Sequence, residues 1–354
     1  MKQDTNKSQQ LTVGMDLSDR TCHLCVLDAG GEVVEETRLT LTEAALRRRF
    51  EPIPACRVAL EVGTHSPWVS RVLEDCGHEV VVANARKVQL IAKSKRKNDR
   101  TDAELLARIA RLDPKLLAPI RHRGPQAQAD LAVIRSRDAL VRARTMLVNH
   151  ARGSVKSVGA RLPKRSAASF HKLDPELLPE ALRPALAAVL ETTGQLTARI
   201  RQLDRDIQKF ATERYPVTAV LQQVVGVGPL TSVAFVLILE DPQRFPKSRT
   251  VGAFLGLAPS QRESGKEQPE LRISKEGDIL LRRLLVSAAQ YILGPFGPDT
   301  DLRRWGLKLA ARGGKNAKKR AVVAVARRLA VLLHRLWVTG EAYEPLRQAG
   351  DQAA

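Results

Sequence analysis

The chain has 354 residues, of which 44% are hydrophobic and 4% aromatic, and it carries a formal net charge of +20. The length suffices for two or three domains, and the positive charge favours a polyanion such as nucleic acid as partner. The few aromatic side chains argue against base stacking as the main binding mode. Because no signal-peptide segment and no apolar run of membrane-spanning length is found, we expect a cytoplasmic protein without a membrane partner.

The first third of the chain alternates between short β-rich runs and helical patterns. Runs at 11–17, 22–28 and 33–40, separated by turn residues, predict three antiparallel strands. The next predicted elements are helices at 42–51 and 66–75 and strands at 58–62 and 79–83. A capping box at Thr101-Asp-Ala-Glu104 predicts a helix that begins near Thr101. Asp99 would then lie just outside this helix and Asp102 in its first turn.

Two of the four cysteines, Cys22 and Cys25, have the spacing of a zinc or redox pair. They fall in a predicted strand, where residues three apart face opposite sides of the sheet. We therefore interpret them as buried free thiols rather than as a metal or redox site.

The middle of the chain is predicted to be helical. Residues 126–157 resemble one long basic helix, and a proline-containing stretch follows. A heptad pattern then alternates spacings of four and three, which is typical of a coiled-coil seam. Its members are Leu182, Leu186, Val189, Thr193, Leu196, Ile200, Leu203, Ile207 and Phe210. Two interpretations stay open, an oligomer contact and an intramolecular helical hairpin.

A second compact region is predicted from residue 216. Val224-Val-Gly-Val-Gly-Pro-Leu-Thr-Ser232 is typical of a helix-hairpin-helix turn, whose amides can contact a phosphate, although a plain turn between helices fits nearly as well. A helix is predicted at 279–292, a basic segment at 303–320 and a last helix at 321–337.

Four acidic residues, Asp16, Glu61, Asp99 and Asp102, indicate chemistry. Asp16 and Glu61 lie in strand-like apolar runs, where a carboxylate is costly unless it is paired or bound to a cation. An aspartate at a helix start, such as Asp102, is often only a favourable partner of the helix dipole. Carboxylates from two strands and a nearby helix can converge on the divalent ions that phosphodiester cleavage needs. The four acids together predict a magnesium site that acts on nucleic acid.

The motifs around these acids resemble those of the insertion-sequence 110 family of DEDD transposases. The N-terminal motifs are Gly14-Met-Asp-Leu-Ser18, Ala59-Leu-Glu-Val-Gly63 and Lys97-Asn-Asp-Arg-Thr-Asp-Ala103. The downstream motifs are Val225-Gly-Val-Gly-Pro229, Gly256-Leu-Ala-Pro259, Glu263-Ser-Gly265 and Ile273-Ser-Lys-Glu-Gly277. The resemblance covers roughly residues 11 to 340 and follows the family's motif order.

The resemblance implies an α/β domain followed by all-α regions. Residues 11–115 would form a RuvC-like, RNase H-type domain that holds Mg²⁺, or Mn²⁺ in its place, with the four acids. Residues 126–215 would form a helical, coiled-coil region used in assembly. Residues 216–345 would form a mainly helical transposase domain with a serine nucleophile.

The implied function is DNA transposition by a recombinase guided by a structured non-coding bridge RNA, which pairs with donor and target DNA. The implied assembly is a homo-oligomer, a dimer or a tetramer, that is associated with the nucleoid when it acts. The serine corresponds to Ser264, which precedes Gly265 as in the family, although Lys266 stands where many members have a second glycine. Ser264 would attack a DNA phosphate and form a phosphoserine link. Ser260 and Ser274 are the neighbouring serines.

Two basic clusters are expected to hold nucleic acid, with solubilising surface charge as the alternative. Their members are Lys93, Lys95, Arg96 and Lys97 in the first, and Arg312, Lys315, Lys318, Lys319 and Arg320 in the second. Sequence choice delegated to base pairing would fit the absence of a recognisable base-reading helix.

Two other functions compete with this one. The first is a RuvC-like nuclease or Holliday-junction resolvase that hydrolyses DNA with water. The second is a non-catalytic DNA- or RNA-binding scaffold, in which the acids would not be needed for activity.

Overall fold

The computed structural model describes residues 11–84, 98–260 and 271–347. The chain divides into two units, residues 1–123 and 124–354. The first contains a mixed five-stranded sheet and the second is helical in the part that is described. No helix of the described residues is long and apolar enough to cross a lipid bilayer.

The sheet of the first unit has the strand order β3-β2-β1-β4-β5. The strands are β1 (Thr12–Leu17), β2 (Thr21–Leu27), β3 (Val33–Thr40), β4 (Arg57–Glu61) and β5 (Glu79–Ala83). The first three strands pair antiparallel, whereas β1, β4 and β5 run parallel. The predicted antiparallel start is therefore confirmed, and β1 occupies the centre of the sheet.

Three α-helices of the described residues cover the two faces of this sheet. They are α1 (Glu43–Phe50), α2 (Ser66–Asp75) and α3 (Asp99–Leu112). The side chains of Val13 and Met15 are buried in one core with residues of α1 and α2. Because successive strand residues face opposite sides, Gly14 and Asp16 face the other side, where α3 packs.

The two cysteines of β2 follow the same alternation. Cys22 is buried in the core beneath α1 and α2, and Cys25 is buried on the opposite face beside Ala103 and Ala107 of α3. Both are free thiols, so the interpretation as buried cysteines is confirmed. Burial raises the pKa of each thiol to about 11, which leaves both largely protonated at neutral pH.

The start of α3 differs from the prediction. The helix begins at Asp99, and the side-chain oxygen of Asn98 accepts a hydrogen bond from the Arg100 amide at 3.2 Å. Thr101 lies inside the first turn, so the capping-box assignment is wrong. Asparagine is among the strongest N-cap residues and ranks above threonine. Asp99 consequently belongs to the first turn together with Asp102.

The second unit begins with a pair of long helices, α4 (Pro125–Ser157) and α5 (Arg183–Glu213), which pack against each other. Arg137 Nε donates to Asp204 Oδ1 at 2.6 Å, and Arg144 Nη1 donates to Thr197 Oγ1 at 3.1 Å. An intramolecular helical hairpin is therefore present. An oligomer contact stays a prediction.

The buried stripe of α5 departs from the predicted heptad seam. It consists of Leu186, Leu190, Thr193, Thr197, Ile200, Ile207 and Ala211. Four of these were predicted, and the other three lie one residue beyond a predicted position. Val189 and Leu196, which the heptad predicted to face a partner helix, are only half-buried. An apolar residue next to a seam is thus not by itself a guide to which side of the helix packs.

Within the described residues, the remaining α-helices of the second unit are all shorter than α4 and α5. They are α6 (Thr218–Gln222), α7 (Pro229–Leu239), α8 (Arg249–Phe254), α9 (Ile279–Leu293), α10 (Asp301–Ala310) and α11 (Ala317–Thr339). The last helix begins four residues before the predicted start at 321. Gly313 and Gly314 have φ values of 78° and 90°, which end the preceding turn and allow α11 to start at Ala317.

Candidate active site

Two acidic side chains lie at the carboxyl ends of neighbouring parallel strands. Met15 of β1 pairs with Leu60 of β4, so the residues that follow, Asp16 and Glu61, stand side by side at one edge of the sheet. Both line a cavity of about 350 Å³. The other lining residues are Leu17, Ser18, Asp19, Val62, Gly63, Thr64 and His65.

Gly14 determines how close α3 approaches this edge. A Cβ atom on Gly14 would overlap the carbonyl oxygen of Ala103 and lie 2.6 Å from the amide nitrogen of Ala107. From this contact, Asp16 is two residues further along the strand, about 6.6 Å. Asp99 is one helical turn before Ala103, about 6 Å. The glycine contact therefore lets the acidic first turn of α3 approach the acidic ends of β1 and β4.

The pKa of Asp16 reflects this crowding. Burial raises it from 3.8 to about 6, and the charges of Asp99, Asp102 and Glu61 add to the increase. His23, which pairs with Asp16 across β1 and β2, acts in the opposite direction. The charges of Glu61, Asp99 and Asp102 therefore all act on Asp16, while the catalytic roles of the four acids stay a prediction.

The donor set suits a hard divalent cation. All four side chains offer carboxylate oxygens, and a bound cation would offset the repulsion that raises the Asp16 pKa. Within the described ranges, however, no three His, Cys, Asp or Glu side chains form a ready-made metal cage. Magnesium is commonly held by one or two carboxylates while it keeps several waters. Asp16 and Glu61 fit such a site, and the acids of α3 stand close enough to influence it.

Two histidines near the acids were not predicted as site residues from the sequence. His23 Nε2 lies 3.8 Å from Asp99 Oδ2, and His65 Nε2 lies 3.7 Å from Asp19 Oδ1. The ring of His65 is oriented by Trp68, whose Nε1 donates to His65 Nδ1 at 3.2 Å. The antiparallel pairing of the first two predicted strands would have placed His23 opposite Asp16. Nothing in the sequence alone would have singled out His65.

Ser264 lies in residues 261–270, outside the described residues, but the segments that flank it are described. The Ser260 amide donates to the Arg272 carbonyl, and the Ser274 amide donates to the Ala258 carbonyl, both at 2.9 Å. Residues 258–260 and 272–274 therefore form a short antiparallel pair. The described residues that precede and follow positions 261–270 are therefore adjacent in space.

Two glycines hold the downstream motifs together. Gly256 and Gly277 have φ values of 67° and 80°, which a residue with a side chain rarely adopts. A Cβ atom on Gly256 would overlap the Glu276 carbonyl oxygen, and one on Gly277 would overlap that of Phe254. The two motifs therefore pack backbone against backbone at the base of the Ser264 segment.

The glycine-rich turn at 224–228 joins α6 to α7. Gly226 has a φ of 82°, and a Cβ atom there would come within 3.1 Å of the Ala288 carbonyl oxygen in α9. Glycine is thus needed at position 226 both for the backbone conformation and for packing, while a phosphate contact of this turn stays a prediction.

Of the two predicted basic clusters, only the second lies within the described residues. Lys93, Lys95, Arg96 and Lys97 lie outside the described residues. In the second cluster, Arg312 and Lys315 are exposed in the turn before α11. Lys318, Lys319 and Arg320 are exposed at the start of α11 rather than in a segment before the helix.

Comparison with known proteins identifies the family. The DEDD IS110-type transposase family matches residues 13–159, and the family described as "Transposase IS116/IS110/IS902 family" matches residues 218–300. A probable family 20 transposase of Pseudomonas aeruginosa is 30% identical over 94% of this chain and 98% of its own length. The transposase for insertion sequence element IS1111A of Coxiella burnetii is 29% identical over 94% of this chain and 90% of its own. The chain therefore belongs to the IS110 family of transposases, which confirms the resemblance inferred from its motifs.

Proposed function

We propose that this transposase cuts DNA with the carboxylates around Asp16 and rejoins it through a serine-linked intermediate. The observation that carries the proposal is the placement of Asp16 and Glu61 at the ends of two neighbouring parallel strands, beside which Gly14 lets the acidic first turn of α3 approach. Burial, together with the charges of three nearby carboxylates, raises the pKa of Asp16. Acidic side chains that repel one another destabilise a fold unless a bound cation offsets the repulsion. Such a group of acids therefore indicates a cation site. The mixed sheet, with β1 central and antiparallel to β2, supports the RuvC-like, RNase H-type interpretation of this unit.

The protein side chains would bind and orient. Asp16 and Glu61 would hold Mg²⁺, or Mn²⁺ in its place, from the sheet, and Asp99 and Asp102 would do so from the first turn of α3. When bound, such ions activate an oxygen nucleophile and neutralise charge on the scissile phosphate. Above pH 6 Asp16 is mostly ionised and therefore able to bind a cation.

Ser264 is the proposed nucleophile. Its Oγ atom would form a bond to the DNA phosphorus while one phosphorus–oxygen bond of the backbone breaks. The serine hydroxyl loses its proton, and the departing DNA oxygen gains one and leaves as a hydroxyl. Attack by a second DNA hydroxyl on the phosphoserine would reverse these steps and rejoin the strands. The pairing of residues 258–260 with residues 272–274, which flank Ser264 in the sequence, supports a structured setting for the family's downstream motifs.

The partners of the proposed reaction are donor DNA, target DNA and a structured bridge RNA. The basic cluster at the start of α11 is exposed and available for phosphate contacts. The turn at Gly226 would present backbone amides to a phosphate in the manner of a helix-hairpin-helix. A homo-oligomer, a dimer or a tetramer, would use the half-buried side chains beside the packed stripe of α5 in a coiled-coil contact.

A denaturing gel that detects covalent protein–DNA adducts tests this mechanism. The wild-type chain, incubated with Mg²⁺, its donor DNA and co-purified RNA, should form an adduct that Ser264→Ala abolishes. Ser260→Ala and Ser274→Ala are the matched controls and should retain it. An adduct that persists in Ser264→Ala would reject the nucleophile.

Two outcomes of the same assay would favour the competing functions. DNA cleavage without any adduct would indicate a nuclease or junction resolvase that uses water. Strand exchange that survives Asp16→Asn and Asp102→Asn would support a scaffold, because neither variant can bind a cation as the wild type does.

A further inference from the structure

A strongly basic surface lies at the closed end of the α4–α5 hairpin, away from both predicted clusters in the sequence. Residues 139–173 contain eight Lys or Arg and no Asp or Glu. We refer to residues 152–172 as the hairpin tip. The tip is folded around its own small core, in which Val155 of α4 and Leu186 of α5 pack with Phe170 and Leu173.

Five of the six cations of the tip are exposed, whereas Arg152 is half-buried. The exposed ones are Lys156, Arg161, Lys164, Arg165 and Lys172. In the part of the chain that the structure describes, none of these five forms an ion pair with a carboxylate. By contrast, arginines further along the same hairpin are neutralised, since Arg137 pairs with Asp204 and Arg142 with Asp138.

The first two acids that follow the tip, Asp174 and Glu176, are engaged locally. Asp174 Oδ1 accepts a hydrogen bond from the Glu176 amide at 3.0 Å, and Glu176 pairs with Arg183 at 3.2 Å. They are therefore occupied by their own neighbours. The positive charge of the tip remains available to a partner that carries negative charge.

A cavity of about 390 Å³ opens within this surface. It is lined by Arg152, Leu162, Pro163, Lys164, Arg165 and Ser166. Arg152 is held in place, because its guanidinium lies 5.7 Å from the centre of the Phe170 ring and donates to the Arg165 carbonyl at 2.6 Å. A guanidinium has five donors, so further N–H groups remain for an anion.

The phenylalanine of the tip does not offer a stacking surface. Phe170 is fully buried, and residues 152–172 contain no Trp or Tyr. Proteins that grip single-stranded bases combine positive charge with exposed aromatic rings. The chemistry of the tip, cations around a cavity without a ring for stacking, fits contacts to phosphate groups rather than to bases.

We propose that the hairpin tip binds the phosphodiester backbone of a nucleic acid, with Lys164 and Arg165 at the rim of the cavity and Arg152 fixed beside them. The inference builds on the proposed function, which requires nucleic-acid partners, and adds a binding surface that neither basic cluster of that function includes. RNA and DNA present the same backbone phosphates, so the experiment must separate the two.

Salt-dependent binding of the full chain tests this surface. The affinity for a labelled RNA duplex and for a DNA duplex of equal length is measured over a range of salt concentrations, for the wild type and for Lys164→Ala combined with Arg165→Ala. The slope of log K against log salt is negative, and each lost phosphate contact should make it less steep by about 0.9, so the double variant should reduce its magnitude by about 2. Arg199→Ala combined with Lys209→Ala is the matched control, because both residues are exposed on α5 and the charge change is equal.

The result on each duplex has a defined meaning. A less steep salt dependence of the tip variant on RNA, on DNA or on both supports the proposed binding surface and identifies which nucleic acid it binds. An unchanged slope on both duplexes would overturn the proposed surface. A reduction of the slope's magnitude that is as large in the control variant would also overturn it. These outcomes do not depend on DNA cleavage. If no protein–DNA adduct forms but the salt dependence still changes in the tip variant, only the proposed function is rejected and the binding surface is retained. Near-identical thermal unfolding of the variants would establish that both remain folded.

Discussion

Asp16 is the residue at which stability and the proposed function are in conflict. Its pKa is raised from 3.8 to about 6 in the folded chain. Because the folded state holds the proton more tightly than the unfolded state, stability should fall as pH rises from about 4 to about 6 and stay lower above that. Two pKa units correspond to roughly 3 kcal/mol, which solvent screening at a partly exposed site reduces to about 1–2 kcal/mol.

We therefore expect Asp16→Asn to be more stable than the wild type by about 1–2 kcal/mol above pH 6 without divalent ions, although it should not cleave DNA. Chemical denaturation at pH 4 and pH 7.5 measures the difference, which should nearly vanish at the lower pH. Addition of Mg²⁺ should stabilise the wild type but not the variant. A variant that is less stable than the wild type at pH 7.5 would contradict this explanation.

At the scale of elements, the contact between β1 and α3 depends on Gly14. A side chain at this position would overlap the backbone of Ala103, which cannot move without displacing the helix. Gly14→Ala should therefore destabilise the chain by about 2–4 kcal/mol, at or above the usual cost of overpacking. Thermal unfolding measures the loss. Gly63→Ala is the control, since nothing lies within 4 Å of a Cβ atom there, and equal losses in the two variants would show that close packing at Gly14 is not the cause.

The first turn of α3 supplies a second prediction for this element. Asn98 caps the helix through its side chain, whereas Thr101 lies inside it. Asn98→Ala should cost about 1 kcal/mol, and Thr101→Ala should change the free energy of unfolding by less than about 0.5 kcal/mol, as is usual for surface substitutions. Denaturant titrations of the two variants give both values. The opposite ranking would restore the capping box at Thr101.

Elements with strong local patterns were predictable from the sequence, and relationships between elements were less so. Alternation fixed the strands of the first unit and the opposite faces of Cys22 and Cys25. The start of α3 was missed because a capping-box pattern competes with a stronger cap three residues earlier. The buried stripe of α5 was displaced because the packing partner, α4, decides which of two adjacent apolar positions is covered.

In the candidate site, too, single residues were predictable from the sequence, whereas the packing that brings them close was not. The sequence identified Asp16 and Glu61 because carboxylates in apolar runs are unusual, and it identified Asp99 and Asp102 by their place near a helix start and by the family motif. It did not indicate that Gly14 permits the approach of Ala103, on which the gathering of the acids depends. His65 was missed since its placement follows from Trp68 and from the cavity rather than from a motif.

At the scale of the whole molecule, the charge of +20 coexists with a small acidic site, and the two have separate tasks. The basic surfaces supply long-range, salt-dependent attraction to phosphates, while the acids around Asp16 would repel DNA unless a cation intervenes. The proposed function therefore depends on the binding of a divalent cation by the acids around Asp16.

Anomalous diffraction from crystals of the full chain soaked in Mn²⁺ measures this most directly. We expect a manganese peak bonded to the carboxylates of Asp16 and Glu61, near the first turn of α3, and loss of that peak in Asp16→Asn. A map with no manganese at these side chains, or with manganese only elsewhere on the chain, would contradict it.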